Sequence, residues 1–206
     1  MSNEIHTIDG GSTFYPQRLV AVYGELALPT LRMRGNLALL QRPSVGFCGS
    51  RKASSKGLAV AEELASILAR RGIVVTSGYA RGVDTKAHRA ALEAGGETII
   101  SLPEGMNGFR IKRELADVWD DDRTLVISQY PDNAVWRPDR AMERNKVIVA
   151  ISSATIVIEA GATGGTLDAG MTALRQGMPL FVASYWDNLE TNEGNRILLN
   201  AGATNL

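Results

Sequence analysis

The stretch GFCGSRKASSKGLAVAEELASILARRGIVVTSGYARGVDTKAHRAA, residues 46–91, decides the fold. An apolar run stops at Gly49-Ser50-Arg51, a helical pattern follows, and a second apolar run stops at Ser77-Gly78. Within the helical part Leu58, Ala61, Leu64, Ala65 and Leu68 share one face. Ser54 or Ser55 supplies an N-cap hydroxyl, and Gly72 ends the helix. The unit is strand, helix, strand, and each strand runs into small residues with an arginine close behind.

Outward from this unit the same rhythm continues. Apolar runs rich in β-branched residues stand at 44–48, 73–77, 98–102, 125–129, 155–159 and 179–183. Each is nearly continuous, the mark of a strand buried on both faces of a parallel sheet. Helical patterns fill the gaps over 84–94, 110–118, 139–150, 166–176 and 193–200. Such alternation requires right-handed crossovers and predicts an α/β protein with a Rossmann-like, doubly wound, mostly parallel sheet and helices on both faces. Residues 1–43 read differently. TFYPQRLVAVYGELALP offers a short helix, and TLRMRGNLALLQRP a short strand, a turn at Gly35-Asn36 and another apolar piece. The expectation is an N-terminal extension over 1–43 packed on the sheet, with the Rossmann domain over 44–206.

Composition narrows the function. The 22 basic and 22 acidic residues cancel, so no global field draws the chain to nucleic acid or membrane. Any site for a polyanion must be local. A single cysteine, Cys48, forms no internal disulfide, and its place in SVGFC makes it a buried strand residue. No apolar run approaches the eighteen or so residues of a membrane helix, so a soluble, cytoplasmic protein without a membrane partner is expected. The acidic run DVWDDDRT reads as a solvated loop rather than a metal site.

In an open α/β sheet ligands bind beyond the carboxyl ends of the strands. Four such ends here are specialised: GSRKAS, SGYARGVD, PEG and EAGATGGTLDAG. Glycine turns entering helix N-termini offer backbone N–H groups to an anion, a role that suits Gly161, Gly164, Gly165 and Thr166. Glycines at such corners also serve tight packing. Gly49, Ser50, Arg51 and Lys52 form the first turn, and Ser77, Gly78 and Arg81 the second. With Arg144, Asn145 and Lys146 they make a local basic group suited to phosphates. The G-x-G-x-x-G and G-x-x-x-x-G-K-[ST] patterns are absent, which argues against NAD use and nucleoside triphosphate hydrolysis. Asp84 and His88 stand one helical turn apart, and a structural hydrogen bond between them is expected.

The ordered set GSR, SGYARGVD with Ala87-His88, RNK and EAGATGGTL resembles the DNA-processing protein A (DprA/Smf) family over nearly the whole chain. The resemblance implies a Rossmann-like homodimer that binds single-stranded DNA without cofactor or catalysis. It also implies DNA processing and recombination in natural transformation, with the strand presented to a RecA-type recombinase. Arg51 would contact a DNA phosphate, and Arg144 and Lys146 belong to a basic helix start. In the tail NEGNRILLNAGATNL, Ile197, Leu198 and Leu199 match the dimer contact, although Asn195 stands one residue early. Family members usually add a winged-helix domain beyond the matched segment. Before RN the family commonly carries an aromatic, a proline and a basic residue, where this chain has Ala141-Met142-Glu143. That difference removes a phosphate contact and a stacking surface. Two other classes stay open. One is a nucleotide-sensing or partner-restraining regulatory module tied to a mobile element or defence locus. The other is a phosphoribohydrolase of the cytokinin-activating (LOG) type, resembled at GGTLD and MERNK. There Thr166 would bind phosphate, Arg144 the sugar, and Asp168 would assist glycosidic cleavage, although the chain lacks that group's proline and glutamate.

Overall fold

The computed structural model describes residues 4–184 and 192–206; residues 1–3 of the expected N-terminal extension lie outside this range. Its nine strands are β1 (His6–Ile8), β2 (Leu31–Gly35), β3 (Ser44–Cys48), β4 (Val74–Ser77), β5 (Thr98–Leu102), β6 (Thr124–Ser128), β7 (Ala154–Val157), β8 (Leu180–Val182) and β9 (Thr204–Asn205). They form one sheet in the order β1-β2-β6-β5-β4-β3-β7-β8-β9. From β6 through β9 all neighbours run parallel, while β2 pairs antiparallel with β6 and β1 with β2. The helices are α1 (Arg18–Tyr23), α2 (Ser55–Arg70), α3 (Val83–Glu93), α4 (Pro138–Ile151), α5 (Gly165–Arg175) and α6 (Glu193–Asn200).

Strand alternation divides the core. Val75 faces α2 and α3, where Ala61, Ala65, Ala87 and Ala91 keep the two helices close. Its neighbour Val74 faces the opposite layer, with Leu19 of α1 and Val147 and Ala150 of α4. A third cluster joins Cys48, Val157 and Val182 to α5 and to Leu198 of α6. Helices thus cover both faces, and the doubly wound, mostly parallel α/β sheet is the expected one. The segment before β3 also lengthens the sheet, because Met33 pairs with Ile127 and His6 with Met33.

One expected helix does not form. Over 110–118 the chain makes only a 3-10 turn at Arg113–Leu115. Groups that would close an α-helix are committed elsewhere. The Lys112 N–H donates to the Tyr79 hydroxyl at 2.8 Å, and the Glu114 carbonyl accepts from Arg89 at 2.6 Å. Leu115, wholly buried, and Trp119, tilted against the Phe109 ring, fix the segment by its side chains instead.

Two contacts align the strand ends that matter below. Ser54 caps α2 by accepting from the Gly57 N–H at 3.0 Å. The Ser54 hydroxyl and N–H both donate to Glu159, at 2.5 and 2.8 Å. Glu159 follows β7 and is 2% exposed, so its carboxylate ties the β3–α2 turn to the end of β7.

Candidate nucleic-acid interface

Chain progression runs from β3 to β4, β5 and β6 in one direction, then returns to β7 and β8 on the other side of β3. A crevice opens at that reversal, beyond the carboxyl ends of the strands. It has an inner lobe of about 340 Å³ and an outer lobe of about 560 Å³. Arg51, Ala80, Trp136, Ala141 and Arg144 line both.

The walls explain the small residues of the opening stretch. A Cβ on Gly49 would overlap Val83, and one on Gly82, at φ +80°, would overlap the Ser50 carbonyl. The β3–α2 and β4–α3 turns therefore lean directly on one another and hold Ser50, Arg51 and Lys52 at the rim. Across the inner lobe stands the N-terminus of α5, where Gly164 at φ +104° caps without a side chain. Gly165 and Thr166 face the lobe there, and Asn145 of α4 donates to the Gly165 carbonyl at 3.0 Å.

The floor is Arg144. Only 5% exposed, it donates through Nη1 to the Ser101 carbonyl at 2.5 Å. Its Nε is buried with no hydrogen-bond partner among the described residues. A Cβ on Gly78 would overlap this guanidinium, so the glycine makes the space that Arg144 occupies. Burial pulls Arg144 below the ordinary arginine value while the charge of Asp84 opposes that shift. Burial likewise pushes the Asp84 carboxyl up, against Arg144 and the Ala80 N–H at 3.1 Å. The two charges sustain each other beneath the crevice. Lys112 secures the same turn, donating to the Tyr79 carbonyl at 2.6 Å with its ammonium 4.3 Å from the Tyr79 ring.

The expected Asp84–His88 bond is not made. His88 Nε2 donates instead to the Gly78 carbonyl at 2.6 Å, and Nδ1 meets the Thr98 hydroxyl at 2.6 Å. Burial pushes this imidazole down to about 4, so it is neutral at physiological pH. Cys48 is equally inert, its thiol raised to about 12 by burial.

Of the residues singled out in the sequence, Gly49, Ser50, Arg51, Lys52, Arg81, Arg144, Asn145, Gly165 and Thr166 line the crevice. Ser77 lies below it, donating to the Phe47 carbonyl at 2.7 Å. Gly161 and Gly164 shape the β7–α5 turn without lining either lobe. Lys146 turns away, pairing with Glu143 at 2.9 Å and lying 5.8 Å from the Tyr23 ring. Asp168 pairs with Arg175 at 3.6 Å and is not among the residues lining the crevice. In α6, Leu198 is wholly buried, while Ile197 and Leu199 are half-buried. Asn195 is spent inside, donating to the Ile158 and Ala183 carbonyls at 2.6 Å and accepting from the Ala160 N–H. Sequence reasoning gave no binding role to Trp136 or Met142, and reached Tyr79, Pro103 and Glu104 only as members of the SGYARGVD and PEG strand ends; all five line the crevice. The signal was the aromatic of VWRPDR just before the proline that starts α4.

The model of the DNA recombination-mediator protein A family matches this doubly wound chain over nearly its whole length. The chain belongs to that family, which matches residues 6–206. It is 31% identical over 200 residues to Protein Smf of Escherichia coli K12, covering 96% of this chain and 53% of the relative. It is 33% identical over 193 residues to DNA processing protein DprA of Streptococcus pneumoniae R6, covering 92% and 66%. The chain thus spans about half to two thirds of these relatives' length. The solved DprA from Streptococcus pneumoniae superposes with a TM-score of 0.87 at 28% identity, over 99% of this chain and 71% of that one. DNA processing protein A of Helicobacter pylori, described for its single-stranded DNA binding mode, gives 0.82 at 24% identity, over 98% and 90%. A molybdenum cofactor binding protein of Rippkaea orientalis shares the fold at 0.58.

Proposed function

We propose that this chain binds single-stranded DNA along the crevice and presents it to a RecA-type recombinase, acting as a homodimer and without catalysis. The observation that carries the reading is electrostatic. In a chain of zero net charge, Arg51, Lys52, Arg81 and Arg144 outnumber Asp84 and Glu104 in the lining of one crevice that also receives a helix N-terminus. Such a site attracts phosphates where the molecule as a whole does not. The single-stranded DNA binding described for the Helicobacter pylori relative supports the same reading. Against hydrolysis of a nucleotide, Asp168 is turned to Arg175 rather than to the lobe that holds Thr166. For the dimer, Ile197 and Leu199 of α6 are only partly buried, Leu199 packing in part against the cluster that holds Leu198, and so leave some aliphatic surface.

The test is titration with a long oligothymidine over a salt series, with double-stranded DNA as competitor. Few cations line the crevice, so a log–log slope of about two to four is expected. Arg51→Ala should weaken binding alike for all sequences and lower the slope by about one. No binding at low salt refutes the reading. Light scattering tests the dimer: Leu199→Arg should yield a folded monomer, and a monomeric wild type at micromolar concentration rejects that part.

A further inference from the structure

We propose that Trp136 is the base-stacking platform of the crevice, with Arg51 as its cover when no strand is bound. This rests on the single-stranded DNA reading above and assigns the group that holds a base rather than a phosphate. Trp136 is 45% exposed, although tryptophan is among the costliest side chains to leave in water. It lines both lobes, so it stands at the waist between them. Its indole N–H makes no hydrogen bond among the described residues.

The backbone on either side of Trp136 is held rather than loose. Pro138 begins α4 two residues on, and Arg140 donates to the Val135 carbonyl at 2.7 Å. The Tyr130 hydroxyl in turn donates to the Arg140 carbonyl at 2.9 Å. Opposite, small residues leave room: Ala80 and Ala141 both face the waist. The Arg51 guanidinium carbon lies 5.7 Å from the ring centroid. A stacked base needs about that same space, and it is worth about as much as a good cation–π contact or more. A strand offers a partner to each member of the pair. The base takes the indole face, and the exposed, flexible Arg51 swings to the adjoining phosphate, which binds a guanidinium more strongly. Arg51 therefore serves two states: it covers the indole in the free protein and neutralises a phosphate in the complex.

The test compares a long oligothymidine with an abasic oligomer of equal length, using wild type, Trp136→Ala, Trp136→Phe and Arg51→Ala. Trp136→Ala should lose about ten- to a hundred-fold in affinity for oligothymidine, with an unchanged salt slope and unchanged affinity for the abasic chain. Trp136→Phe should retain most of the binding. Indole fluorescence of the wild type should be quenched by oligothymidine and not by the abasic chain, and the quench should vanish in Trp136→Phe. Arg51→Ala should lower the salt slope by about one for both oligomers. Equal losses for both oligomers on removing Trp136, or no loss at all, overturn the stacking role while leaving the phosphate site standing. Failure of the wild type to bind either oligomer overturns both.

Discussion

Replacing Arg144 with methionine keeps the length of its stem and removes the charge beneath the crevice. Two groups are then stranded. The Ser101 carbonyl loses a charged donor at 2.5 Å, and Asp84, 7% exposed, loses the cation that favours its ionised form. Removing one partner of a buried pair costs about 3–5 kcal/mol when the other stays charged. Asp84 has an escape, because it can take up a proton. Its carboxyl is already raised by burial, and without Arg144 it rises further. A carboxyl whose folded value exceeds its unfolded one binds more protons when folded, so stability falls as pH climbs from the unfolded value through the folded one. The penalty of Arg144→Met should therefore be largest in alkali. In acid it should shrink to the hydrogen-bond part, about 1.5–3 kcal/mol. Urea unfolding of both proteins between about pH 5 and pH 8 measures this difference. Adding Asp84→Asn should flatten the pH dependence and recover part of the loss. A penalty independent of pH, or no recovery in the double variant, would falsify the pairing of these two charges as the support of the floor.

Gly78→Ala places a methyl against the same guanidinium; it should cost about 1–3 kcal/mol in denaturant unfolding and weaken oligothymidine binding by displacing Arg144. Glu143→Lys breaks the pair with Lys146 on the side of α4 away from the crevice, so binding affinity and salt slope should stay unchanged; a slope increased by about one would place that position against the DNA. Leu198→Ala empties a wholly buried site against Gly170, and thermal or urea unfolding should show a loss of about 2–5 kcal/mol.

Much of the fold was legible because a buried parallel strand needs apolar residues on both faces, and runs such as Val74–Ser77 and Thr98–Leu102 have no other economical use. The segment over 110–118 was not, because side-chain spacing carries no record of the Arg89 and Tyr79 groups that capture its backbone. In the crevice, glycine turns announced Gly49, Gly78 and Gly165, since each is small for a neighbour it touches. Lys146 and Trp136 show the limit of that reading. Charge alone put Lys146 in the group, but helix phase carries it round to Tyr23. Trp136 reaches the waist from a loop whose course depends on Arg140 and Tyr130, neither of which any motif marks. The Asp84–His88 spacing allowed a bond, yet strands on either side offered the imidazole better-placed partners in Thr98 and Gly78.

The reversal of strand order also bears on how the chain folds. Neighbouring units from β3 to β6 can assemble from contacts close in sequence, each helix docking on strands it connects. Val45 must wait for Ala154, its partner in β7, across everything between. Closing so long a loop carries an entropy cost that local contacts repay only once they exist. The junction of β3 with β7, like that of β2 with β6, is therefore among the costliest seams of the sheet to close, and both walls of the inner lobe belong to it. A chain arrested before that step would have most of its secondary structure and no α5 N-terminus to complete the inner lobe.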